Sequence, residues 1–233
     1  MYKKISHNIL EEHFDHPMYM NGSGQSNPQP LKLGDALPTY VMNEPTMQFR
    51  MDARTAWTKW AYSLMNYAVS LNGNLPGTDQ VKGRMHKNAV ALGDFLMPYY
   101  GATAARAIST ALIAIDDIGM HYVEALKTKQ PTEAIVKSWD PYIADLAKLM
   151  NEVNPNNWPT ALISDIVSNI VSTWQQELQA RAKGDILADE IAIDTLSKLV
   201  VTGVPDHNKQ GYSSLADIFS RGIIAQFPGM FAV

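Results

Sequence analysis

The sequence predicts an all-α fold: an antiparallel helical bundle of about six to seven helices behind an extended, non-helical N-terminal arm. Three observations predict it. Beyond Phe49 the apolar residues recur at helical spacing, and no segment alternates as a strand would. The breaks between these stretches are short and rich in Gly, Pro and Asn. Residues 15–48 hold Pro17, Pro28, Pro30, Pro38 and Pro45, five of the thirteen prolines, and sustain neither period. The chain therefore divides into residues 1–48, a short helix plus arm, and residues 49–233, the bundle.

Taken in order, residues 3–14 form a short amphipathic helix with Ile5, Ile9, Leu10 and Phe14 on one side, and the arm follows. Trp57, Trp60, Ala61, Leu64, Ala68 and Leu71 line the first bundle helix, which Asn72-Gly73 ends with Gly73 as a left-handed cap. Residues 79–97 give a second helix, closed by Met97-Pro98-Tyr99-Tyr100-Gly101. A third runs over about 102–129 on a stripe of Ile108, Leu112, Ile115, Gly119, Tyr122 and Leu126.

Pro131 suits the first turn of a fourth helix with Trp139, Tyr142, Leu146, Leu149 and Val153 inward. The fifth, about 160–183, has the clearest stripe: Leu162, Ile163, Ile166, Val167, Ile170, Val171, Trp174 and Leu178. Gly184 then Asp185 supply a C-terminal glycine and an N-cap for a sixth helix to about Val204. Ser214 with Asp217 caps a last helix that stops near Phe227-Pro228. Asp145–Leu149 ahead of Pro155 resembles Asp194–Leu199 ahead of Pro205, a hint of a duplicated helical hairpin.

Composition narrows the function classes. A net charge of −4, with basic residues scattered singly, speaks against nucleic acid as partner. The chain has no cysteine, which excludes disulfides, thiolate metal sites and thiol catalysis. The N-terminus does not read as a signal peptide, and no apolar run is long enough to span a bilayer. The expected location is the cytoplasm or the interior of an assembled particle.

No Glu-x-x-His, nucleophile elbow, P-loop or His-Glu-x-x-His occurs, so the carboxylate-bridged di-metal bundle loses its signature. Two constellations remain as weak metal or ligand candidates. Asp116, Asp117 and His121 share one helix, with Asp117 and His121 four apart and so on one face. In His13-Phe-Asp-His16 the two histidines are spaced for one helical face, but Pro17 disfavours helix at His16. No cofactor is expected. Met18, Met20 and Met42 lie in the arm, outside any stripe, and favour a role in docking it.

Five stretches carry a resemblance: Trp57-Thr-Lys59, Leu96-Met-Pro-Tyr-Tyr-Gly101, Val153-Asn-Pro155 with Trp158, Ala182-Lys-Gly-Asp185, and Gly222-Ile-Ile-Ala-Gln-Phe-Pro-Gly-Met-Phe231. In this order they resemble a group of small all-helical proteins of Gram-positive bacteria that often bear ill-fitting enzyme names such as glycosyltransferase or acetylglutamate kinase. The likeness spans about residues 49–231 and leaves out the arm. It implies the helical fold and carries no established activity. That group has Trp-Thr-Arg where this chain has Lys59, and inward histidines on several helices. Arg54 and Asn169 lie near two of those positions here, and Ile115–Asp117 near a third. The resemblance thus implies that any histidine-based binding has been lost.

The expected function is that of a non-catalytic structural or assembly protein, with residues 1–48 mediating self-association or docking to a protein partner. The alternative is a bundle that binds a metal or small ligand at Asp116, Asp117 and His121.

Overall fold

The computed structural model describes residues 42–203 and 214–232. Its elements are α1 (Glu44–Ala61), α2 (Ser63–Asn72), α3 (Thr78–Thr128), α4 (Glu133–Ser138), α5 (Asp140–Val153), α6 (Thr160–Lys183), α7 (Ile186–Ser197) and α8 (Leu215–Gln226). A π-helical turn, Lys198–Thr202, prolongs α7, and a 3-10 turn, Pro228–Phe231, follows α8. The described residues contain no strand, and the all-α bundle is the fold. The expected helix over 3–14, and the arm as far as residue 41, lie outside the described residues.

Several boundaries differ from expectation, each for a local reason. α1 begins at Glu44, inside the stretch read as arm. Asn43 caps it: its side chain accepts from Thr46 N at 3.0 Å, and Asn43 N donates to Thr46 Oγ1 at 3.0 Å. Pro45 sits in the first turn, where its missing N–H costs nothing. The helix expected to run on to Leu71 breaks at Tyr62. There Ser63 Oγ donates to Lys59 O and Trp60 O, drawing those carbonyls toward a side chain.

α2 does end at Asn72-Gly73, but Gly73 is right-handed (φ −76°) and Asn74 takes the left-handed conformation (φ 48°). α4 starts at Glu133, so Pro131 precedes the helix instead of opening it. Pro141, in the first turn of α5, has no N–H to continue the ladder, and α4 and α5 separate at Trp139. The two candidate hairpin ends also differ: α5 closes in α form at Asn154, whereas α7 widens into the π turn.

α3 is folded in two at Gly101, whose φ of 77° and ψ of 168° are open only to glycine. The halves pack face to face. A Cβ on Gly93 would lie 1.8 Å from Ser109 Oγ and 2.5 Å from the Ala105 carbonyl oxygen, so glycine permits the contact. The 79–97 and 102–129 helices of the sequence are these two halves.

All five tryptophans are buried, and three tie helices together through their indole N–H groups. Trp139 Nε1 donates to Ile115 O at 3.0 Å, Trp158 to Ile218 O at 3.1 Å, and Trp174 to Ala61 O at 2.9 Å. Every residue of the expected α6 stripe is buried. On α5 the stripe is rotated: Leu146 is buried, with Ile143, Ala147 and Met150 beside it, while Tyr142, Leu149 and Val153 are half-buried.

Three of the five stretches that carried the resemblance meet at one node. Tyr100 Oη donates to Gln226 Oε1 at 2.8 Å, and Asn154 Nδ2 donates to Tyr100 Oη at 3.1 Å. Gln226 Nε2 closes the ring by donating to Val153 O at 3.0 Å. The rings of Trp158 and Phe227 flank Tyr100, with centroids 5.5 and 5.4 Å away. Those stretches staple α3, α5 and α8.

Candidate functional site

The polar centre expected on the third helix lies in the second half of α3, and the helix splits it. Asp116 faces the core and is fully buried. Asp117, a 100° turn onward, is about one-third exposed, and His121 is exposed on the surface. The three side chains do not form one pocket.

Asp116 has an unusual setting. Neither carboxyl oxygen has a hydrogen-bond partner among the described residues, and the same holds for Trp60 Nε1 and Trp57 Nε1. Burial pushes the Asp116 carboxyl well above the usual range, and the Asp117 charge adds to the rise. The Trp60 indole N–H opposes it without closing a hydrogen bond. The buried setting between α1 and α3 therefore favours the neutral form of Asp116.

Asp117 has a partner that the sequence reading missed. His86, from the first half of α3, donates from Nε2 to Asp117 Oδ1 at 2.8 Å, and both side chains are about one-third exposed. A signal was present. Once Gly101 is read as the bend, His86 and Asp117 lie almost equally far from it along the chain, which sets them opposite each other. Neither lines the cleft between α2 and α3. Among the described residues no group of three or more His, Asp or Glu side chains could hold a metal ion. His13 and His16 lie outside the described residues.

Of the residues expected near the resembling group's histidine positions, Asn169 is exposed on α6 and Arg54 is turned to α8. There Asp217, nearly buried, accepts from Arg50 Nη2 at 2.7 Å and from Arg54 Nη2 at 3.1 Å. Ser214 Oγ accepts from the Asp217 N–H at 3.1 Å, so the α8 cap also fixes this carboxylate.

A second buried acid, Glu177 on α6, accepts from Arg181 Nε at 2.7 Å. Arg181 Nη2 also reaches Asp189 of α7 at 3.2 Å. Burial raises the Glu177 carboxyl to about 7 against the opposing pull of Arg181. Its Oε2 has no partner among the described residues. Through Arg181 these groups bind α6 to α7.

On the outer surface the apolar side chains are uneven. Met42, Met47 and Met51 stand out at the start of α1, and Ile186, Leu187 and Ile191 on α7. Among the described residues no helix is long and apolar enough to cross a membrane. Comparison with models of known protein families, with curated proteins and with solved structures finds no match to this chain.

Proposed function

We propose that the protein is a non-catalytic helical scaffold that self-associates through residues 1–41 and the outer face of α1, in the cytoplasm or within an assembled particle. One observation supports this reading above the rest: Met42, Met47 and Met51 are 60%, 50% and 61% exposed. Met47 and Met51 lie one turn apart, and the arm leads straight into this helix. Exposed apolar rows mark protein contacts, and the flexible thioether adapts to an apolar partner. Beside this row, Arg50 and Arg54 hold α1 to α8 through Asp217, so the row has a rigid support. A second copy is the occupant we favour, because the arm and the row adjoin in every chain and can be exchanged reciprocally.

Size-exclusion chromatography with light scattering tests this. The full chain should run as a multiple of 25.8 kDa. Met47→Glu with Met51→Glu should return it to the monomer, as should removal of residues 1–41. A monomeric full chain at tens of micromolar, or a mass that neither change alters, overturns the proposal.

A further inference from the structure

Between α2 and the first half of α3 lies an open cleft of about 490 Å³. That is the size of a small-molecule site, and all but one of the residues that line it are polar or charged. Ser63 and Asn66 of α2 face Gln80, Arg84, Lys87 and Asn88 of α3 across it. The α3 residues recur at helical spacing, which brings their side chains to one face.

Two properties of this lining point to a ligand. The first is charge. The cleft carries two cations and no carboxylate among the described residues, in a chain whose 23 acidic residues outnumber 19 basic ones. The second is that these side chains are uncommitted. Arg50, Arg54 and Arg181 each hold a carboxylate. Arg84 and Lys87 make no ion pair or side-chain hydrogen bond among the described residues, and the side chains of Asn66 and Gln80 likewise make none. At the base the polar groups are fixed: Asn88 Nδ2 donates to Lys59 O at 2.9 Å and to Ser63 Oγ at 3.1 Å. The cleft thus has an ordered base and unpaired cationic and amide groups around its mouth.

We infer that this cleft binds a small, hydrophilic ligand bearing two or more negative charges as phosphate or carboxylate groups. The Arg84 guanidinium forks onto one anionic group, and the Lys87 ammonium supplies a point charge for the next. Asn66 and Gln80 donate to the remaining oxygens. Val81 is the one apolar residue in the lining, which favours a hydrophilic ligand over an acyl chain or a flat aromatic cofactor. This inference is independent of self-association, since the cleft lies away from Met47 and Met51.

Isothermal titration of the full chain at low ionic strength, with sodium pyrophosphate in one arm and citrate in the other, tests it. Saturable one-site binding with Kd below about 1 mM is expected in at least one arm, the tighter naming the anionic group. Arg84→Gln with Lys87→Gln should weaken it about tenfold or more, while Lys148→Gln on α5 leaves it unchanged. Both cleft positions are exposed, and an unaltered thermal midpoint shows that the double variant folds. Absence of saturable binding in both arms overturns the inference. Binding that the double variant retains also overturns it, and shows an adventitious ion only.

Discussion

His86 Nε2 and Asp117 Oδ1 lie 2.8 Å apart across the two halves of α3, almost equally far along the chain from Gly101. Gly93 and Ser109 meet in the same register, nearer the bend. One glycine in a conformation closed to other residues therefore sets the pairing of two long helical segments.

Three glycines of α3 separate the possible roles of that residue. Gly93→Ala should cost about 1–3 kcal/mol, since its Cβ would meet the Ala105 carbonyl oxygen and Ser109 Oγ. Adding Ser109→Ala should recover only part of the loss, because the backbone oxygen remains. Gly101→Ala has open space, yet its positive φ should cost about 1–3 kcal/mol. Gly83→Ala meets nothing within 4 Å inside a helix and should stabilise by up to about 1 kcal/mol. Urea denaturation of the three variants checks the order.

Tyr100→Phe should destabilise by about 1–2 kcal/mol while the ring keeps its contacts with Trp158 and Phe227. Losing the hydroxyl leaves Asn154 Nδ2, on a buried residue, and Gln226 Oε1 without it. The change should show as a lower chemical midpoint with an unaltered m-value.

Asp217→Asn should cost about 2–4 kcal/mol, since it uncouples α8 from two arginines at once. Arg54→Ala should cost under about 1 kcal/mol, because its side chain is 40% exposed. Equal losses in the two variants would contradict this arrangement.

Stability should fall as pH rises through the window set by Glu177. Its folded value, about 7, exceeds the ordinary 4.5, so the folded state binds more protons across that range. The contribution is fully present below about 4.5 and lost on passing 7, an effect of at most about 3 kcal/mol. Asp116 acts in the same direction. Glu177→Gln should flatten the decline in urea midpoints measured from pH 5 to 7, and Asp116→Asn should flatten the fall of stability with rising pH. A steeper decline in either variant would refute the assignment.

Much of the fold was legible in the chain. The α6 stripe, the Gly184-Asp185 junction and the Ser214–Asp217 cap each rest on one local rule, and the structure places them as read. The start of α1 was hidden because Pro45 reads as a breaker until Asn43 is recognised as the cap before it. The break at Tyr62 depends on where a serine hydroxyl turns, which spacing does not encode. At the polar centre, periodicity put Asp117 and His121 on one face. It did not reveal that Asp116 faces inward beside Trp60, or that Asp117 meets a histidine from another segment, because both follow from tertiary packing.

Asn43 Nδ2 donates to the Phe231 carbonyl at 2.7 Å, and Phe49 packs on the Phe231 ring with centroids 5.0 Å apart. During synthesis the first bundle helix therefore leaves the ribosome long before the segment that covers it. Its aromatic side chains must wait, uncovered or held by a chaperone, until α8 and the turn after it emerge. A nascent chain stalled short of α8 presents a sticky, incomplete core.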